Sequence, residues 1–210
     1  MLIIRVSACF MGKDRRGWIY QGQLAFAAKE LQRTLRTVSS GPSNEASDIR
    51  RVTDLTLWGL YNMTMYVRPV NVCWVKLTSS SATAFAYQKP PLIEKPSRPC
   101  PPSFHDNDGP LWHPYPHDGD SLQGHYMCYF NGLSELTTIV DDWCTLLFDS
   151  FTIPTPGEVQ DMENKVRKRL GVWEKTLKPC LRIELGRVIL PHVLCLQYVK
   201  SMFDSIIDST

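Results

Sequence analysis

Residues 126–147 read YMCYFNGLSELTTIVDDWCTLL, and this stretch decides the fold class. Its apolar side chains recur every three or four positions, which is the spacing of a helix face and not of a strand. They are Tyr126, Tyr129, Phe130, Leu133, Leu136, Ile139, Val140, Trp143, Leu146 and Leu147. We therefore predict one long helix here, with Asp120 or Ser121 as its N-cap.

Four further blocks have helical spacing, and we predict helices over residues 17–35, 46–67, 159–177 and 190–207. The buried face of the second block is predicted to carry Ile49, Val52, Leu55 and Trp58. Pro191 suits the first turn of the last helix, where its missing N–H is not needed. Because no strand alternation is sustained, the sequence predicts an all-α protein, an irregular helical bundle.

The clearest interruption of this pattern lies at residues 79–120, which hold nine of the 15 prolines. Proline removes a backbone donor and disfavours the helical conformation of the residue before it. A regular helix therefore cannot run through this stretch. We expect residues 1–210 to form a single domain that is interrupted by a long proline-rich loop.

Composition narrows the class of protein. Of the residues, 43% are hydrophobic and 10% aromatic, which is enough for a packed core and too many for a disordered chain. The net charge of +2 excludes the class of acidic tail proteins and gives no support for a polybasic nucleic-acid-binding protein. The longest apolar stretches are too short to span a bilayer.

The residues that could carry chemistry do not form a recognisable motif. The seven cysteines are scattered and include no CxxC pair, so no sequential zinc motif is present and we expect small buried hydrophobes. Nucleophile-elbow, HExxH and kinase motifs are absent. The sequence therefore predicts no catalytic, cofactor-binding, metal-binding or DNA-binding residue in this chain, and no enzyme.

Two stretches offer weaker alternatives. His105, His113 and His117 lie near Cys100 and several aspartates, but the prolines between His113 and His117 remove the helical meaning of their spacing. We interpret this stretch as a polar loop. Residues 12–17, GKDRRG, are basic and bracketed by glycine but lack the order of a phosphate-binding loop. We interpret them as a helix-entry loop.

Three segments resemble the signatures of the fungal-specific transcription factor domain. The first, GKDRRGWIYQGQLAFAAKEL at 12–31, resembles a Gly-Trp-x-Tyr-x-Gly run that opens an alanine-rich helix. The second, DIRRVTDLTLWGLYNMTMYVRP at 48–69, is similar to the arginine pair, Trp-Gly and Arg-Pro end of the next signature. The third is LPHVLCLQYVKSMFDSIID at 190–208. Within the family, the segments look most like regulators of nitrogen assimilation.

The resemblance implies a nuclear, helical middle domain that regulates RNA polymerase II transcription through an attached zinc-cluster head. Its expected partners are the transcription machinery or regulatory proteins, and it allows a small-molecule effector. No membrane partner is implied. A pocket between helices could be lined by Trp18, Trp58, Trp143 and Trp173, although core packing is the simpler interpretation.

The departures from the family pattern set further expectations. The six clustered cysteines of the zinc-cluster head are absent, so zinc and DNA contacts are expected only in that missing head. The chain is therefore expected to be a middle fragment, a truncated gene or a degraded paralogue. Two alternatives remain open: a degenerate helical protein-interaction module without transcriptional activity, and an enzyme that uses the loop at 100–120.

Overall fold

The computed structural model describes residues 14–38, 47–62, 93–102, 109–115, 119–148, 154–184 and 188–208. The chain divides into two compact units. The first comprises residues 1–68 and 90–101, and the second comprises residues 69–89 and 102–210.

Two helices form the described part of the first unit together with an extended segment. Helix α1 spans Asp14–Val38, which confirms the helix predicted at 17–35 and lengthens it at both ends. It buries Leu24, Ala25 and Ala28, a short run of small and medium apolar side chains. Helix α2 spans residues 47–62, and the rest of the predicted helix, to residue 67, lies outside the described residues.

The buried face of α2 differs from the prediction. Ile49 and Val52 are 46% and 62% exposed, so these two predicted core residues are wrong. The buried positions instead include Thr53, Leu57 and Tyr61, which recur every four residues and form one stripe. The sequence favoured the more apolar side chains, whereas the helix is turned so that the aromatic ring of Tyr61 is fully enclosed.

Residues 93–101 contact α2 through a hydrogen bond and an ion pair. The indole N–H of Trp58 donates to the backbone carbonyl of Arg98 at 3.0 Å. The Arg98 side chain pairs with Asp54 at 3.3 Å, and Ile93 is buried. Since prolines leave this segment without helical hydrogen bonds, these tertiary contacts fix its path.

The second unit is built on three helices and a small hairpin. Helix α3 spans Tyr126–Phe148, α4 spans Pro156–Thr176 and α5 spans Pro191–Asp208. A 3-10 turn at Pro179–Leu181 follows α4. Before α3, strand β1 (Leu111–Trp112) pairs antiparallel with β2 (Leu122–Gln123).

Helix α3 packs against both α4 and α5. The centre of this packing is apolar: Leu136 of α3, Val166 of α4 and Leu196 of α5 have no exposed surface. Gly132 lets the helices approach closely, because a Cβ there would lie 3.1 Å from Leu181 Cδ1. The predicted helices at 126–147, 159–177 and 190–207 are confirmed, including Pro191 in the first turn of α5.

The predicted N-cap of α3 is wrong. Neither Asp120 nor Ser121 caps the helix, because β2 lies between them and Tyr126, where the helix begins. The backbone carbonyl of His125 instead accepts the first bond, from Tyr129 N at 3.0 Å. Leu122, an apolar side chain that the helical pattern left unused, belongs to the hairpin.

Helix α4 begins at Pro156, three residues before the predicted start at 159, and a capping box precedes it. The Thr155 hydroxyl accepts from the Glu158 N–H at 3.3 Å, and the Glu158 carboxylate accepts from Thr155 N at 2.8 Å. Pro156 and Gly157 then form the first helical turn. This reciprocal pair satisfies two backbone donors that would otherwise lack partners.

In the described part of the chain, secondary structure consists of five α-helices, one 3-10 turn and one two-stranded sheet. The all-α prediction is therefore confirmed. The expectation of a single domain over residues 1–210 stays a prediction. None of the described helices is both long enough and apolar enough to cross a bilayer.

Candidate functional site

The tryptophans considered as pocket-lining residues are core residues wherever the structure describes them. Trp58, Trp143 and Trp173 are 5%, 3% and 4% exposed. The indoles of Trp58 and Trp173 donate to backbone carbonyls, whereas that of Trp143 has no partner among the described residues. The side chain of Trp18 lies outside the described residues.

The polar loop is only partly described. His113 is exposed, and its Nδ1 lies 2.7 Å from the Ser121 hydroxyl. Cys100 belongs to the first unit and His113 to the second. His105 and His117 lie outside the described residues, as do Gly12 and Lys13 of the basic stretch. From Asp14 onward that stretch is helical, so the interpretation of residues 14–17 as part of a loop is wrong.

The fold brings together a group that the sequence analysis did not single out. His125, Cys128 and Cys180 each offer a ligand atom, and these atoms all lie within 4.8 Å of one another. We call these three residues the His–Cys cluster. His125 directly precedes α3, Cys128 lies in its first turn, and Cys180 lies in the 3-10 turn. Cys128 is buried, and the other two are half-buried.

His125 holds an unusual backbone conformation at this point. Its φ of 47° makes it the one described non-glycine residue with positive φ, a conformation that costs an L residue about 1–3 kcal/mol. Gly124 before it admits no side chain, because a Cβ would lie 2.6 Å from the Pro110 carbonyl oxygen. The imidazole Nδ1 of His125 is buried and has no hydrogen-bond partner among the described residues.

The ammonium of Lys178 lies beside the cluster. Lys178 Nζ lies 3.5 Å from Cys128 Sγ. The same ammonium acts on Glu135, a residue of α3, where it partly offsets desolvation of the carboxyl; the net effect is a pKa above the ordinary value. An ammonium beside a thiol favours the thiolate, the form in which cysteine reacts and binds metals.

His192, in the first turn of α5, packs beside the cluster. Its ring centroid lies 4.9 Å from that of Tyr126 and 5.4 Å from that of Tyr129. Burial lowers the pKa of His192; a hydrogen bond with the Gly124 backbone opposes this, and the charge of His125 adds to it. His192 is therefore held neutral more strongly than an exposed histidine.

The sequence contained one local signal for the cluster. His125 and Cys128 have His-x-x-Cys spacing, which brings two potential ligands onto one helix entrance. Cys180 lies far along the chain and reaches this point only because α4 returns beside α3. Searches for closely spaced cysteine pairs therefore miss the group.

Comparison with known proteins gives one informative similarity. No known family model and no solved structure matches the chain. The chain is similar to the "Notoamide biosynthesis transcriptional activator notL'" of Aspergillus versicolor, with 26% identity over 195 residues. The alignment covers 92% of this chain but only 28% of that protein, so the chain spans less than a third of its relative's length.

This similarity supports a coarse conclusion about function. Over nearly its whole length, the chain resembles part of a fungal transcriptional activator. The relative is named as an activator and not as an enzyme, which fits the predicted lack of enzymatic activity indirectly. The similarity is therefore to part of a fungal transcription regulator.

Proposed function

We propose that this chain is a regulatory, non-DNA-contacting domain of a fungal transcription factor. In this proposal it acts in the nucleus and regulates RNA polymerase II transcription through an attached zinc-cluster head. The observation that carries the proposal is the alignment with a fungal transcriptional activator, which extends over 92% of the chain. The sequence signatures at residues 12–31, 48–69 and 190–208 support the same position within such a protein.

A domain that regulates without catalysing a reaction must have two conformational states that differ in free energy. A ligand or protein partner shifts such an equilibrium only by its difference in affinity for the two states. A shift from 1:99 to 99:1 needs about 5.5 kcal/mol of differential binding. In this chain α3 packs against α4 and α5. Packed helices have discrete arrangements, so this packing is compatible with two such states. The proposed partners are regulatory or transcription-machinery proteins, with a small-molecule effector as a further candidate.

A reporter assay tests this proposal. The 210-residue chain is inserted between a heterologous DNA-binding domain and an activation segment in a fungal host, and reporter mRNA is measured per molecule of fusion. We expect the insertion to lower transcription several-fold. Leu196→Asp introduces a charge into the closed packing centre and should restore output to that of the fusion without the insert.

The matched control lies on the same helix. Leu194 is 49% exposed, so Leu194→Asp should leave the lowered output unchanged. If neither the wild-type insert nor Leu196→Asp changes reporter output while the fusions are equally abundant, the regulatory proposal is wrong. Protein partners captured by such a transcriptionally silent insert would then favour the interaction-module alternative.

A further inference from the structure

We propose that the His–Cys cluster is a zinc site, in which His125, Cys128 and Cys180 bind one Zn²⁺ ion. This site is separate from the zinc-cluster head of the proposed function and does not depend on that function. It rests on the convergence of three ligand atoms within 4.8 Å, contributed by the helix entrance and the 3-10 turn.

The geometry is close to what zinc needs. Zn–S bonds of about 2.3 Å and Zn–N bonds of about 2.0 Å place two tetrahedral sulfurs and one nitrogen roughly 3.5–3.8 Å apart. The ligand atoms of the cluster lie within 4.8 Å, so closing by about 1 Å brings them into range. Side-chain rotation supplies a movement of this size without a change in the helices.

The donor set selects the metal. Thiolate and imidazole ligands suit zinc, whereas calcium and magnesium require oxygen ligands. Two thiolates and a neutral imidazole balance the charge of Zn²⁺. Three protein ligands leave the fourth position open to water, and the half-buried His125 and Cys180 give the ion a path to the buried Cys128.

One further feature favours metal binding over three residues that merely lie close together. The His125 Nδ1 atom is buried without a partner, and a metal at this nitrogen would satisfy it.

Bound zinc would connect three parts of the second unit. It would fasten the strained turn at His125 and the first turn of α3 to the 3-10 turn that follows α4. These segments are otherwise joined by apolar packing around Gly132 and Leu181. We therefore expect bound zinc to stabilise the folded state.

The test is a Co²⁺ titration of the reduced, metal-free 210-residue chain. We expect one equivalent of Co²⁺ to produce a saturable thiolate charge-transfer absorption, which Zn²⁺ then removes by competition. We expect each loss of a ligand to weaken Co²⁺ binding by more than the about 10–100-fold that is typical when a residue hydrogen-bonded to a ligand is removed. The variants are Cys128→Ser, Cys180→Ser and His125→Asn. Cys195→Ser, in a half-buried cysteine outside the cluster, should bind normally.

Two measurements on the wild-type chain do not depend on the folding of variants. Zn²⁺ at about 100 times Kd should raise Tm by about 5–10 °C. Zn²⁺ should also slow alkylation of Cys180 and leave that of Cys195, which is similarly half-buried, unchanged. The proposal would be overturned if Zn²⁺ left the alkylation rate of Cys180 unchanged, or if Co²⁺ produced no saturable absorption. A Cys128–Cys180 disulfide that persists in the presence of reductant would also overturn it.

Discussion

The indole N–H of Trp173 donates to the backbone carbonyl of Gly132 at 3.2 Å, which joins α4 to α3 at a fully buried point. Gly132 also leaves little room for a side chain, because a Cβ there would meet Leu181, Leu177 and Leu196 within 3.5 Å. One polar bond and one missing side chain thus occur at the same buried point of α3.

Trp173→Phe tests this contact. The substitution removes the hydrogen bond and leaves part of the indole volume empty, so we expect a loss of about 2–3 kcal/mol in the free energy of unfolding. Urea denaturation followed by circular dichroism measures it. Val172→Ala is the matched control on the same helix: its side chain is 55% exposed, and it should change stability by less than about 0.5 kcal/mol. Equal losses in the two variants would contradict the role of the buried bond.

The capping box of α4 gives a second prediction. Thr155→Ala removes the hydroxyl that accepts from the Glu158 N–H, and should lower the free energy of unfolding by about 0.5–2 kcal/mol. Thr155→Ser keeps the hydroxyl and should retain most of that stability. The urea unfolding midpoints of wild type and the two variants measure these changes in stability. A Thr155→Ser variant as unstable as Thr155→Ala would show that the capping hydroxyl does not stabilise α4.

The pKa of His192 gives a third prediction, in which the sign follows from burial. Desolvation lowers the pKa of His192 below its ordinary value of 6.5, so the folded chain binds this proton less readily than the unfolded chain. The stability of wild type should therefore fall as pH drops from above 6.5 toward the folded pKa. His192→Gln removes that component of the pH dependence.

An NMR titration of the imidazole C–H signals measures the pKa directly. Among the described residues, the rings that pack against His192 are those of Tyr126 and Tyr129, and the charge that acts on it is that of His125. We expect a midpoint below 6.5. A midpoint at or above 6.5 would mean that the ring is solvated or paired with an acid.

Much of the helical architecture could be predicted from the sequence, because long amphipathic blocks such as 126–147 carry a strong periodic signal. The orientation of α2 could not. Its most apolar residues, Ile49 and Val52, are exposed, and the choice of buried face depends on what packs against the helix. The N-cap of α3 could not be predicted either, because the two-residue strand that separates Ser121 from the helix leaves almost no sequence pattern.

The His–Cys cluster shows the same limit at the level of a site. His125 and Cys128 are readable as a pair, but Cys180 joins them only through the return of α4 beside α3. Long-range convergence of single residues depends on tertiary packing and has no local spacing to read. The resemblance to a transcription factor, by contrast, was visible in short segments and agrees with the similarity to a fungal activator.

The most direct measurement is the sequence of the full-length transcript that encodes this chain. A regulatory middle domain acts through an attached head, so we expect six closely spaced cysteine codons in the same reading frame upstream of residue 1. A transcript whose reading frame encodes no such head would contradict the proposal that this chain regulates transcription through attached DNA binding.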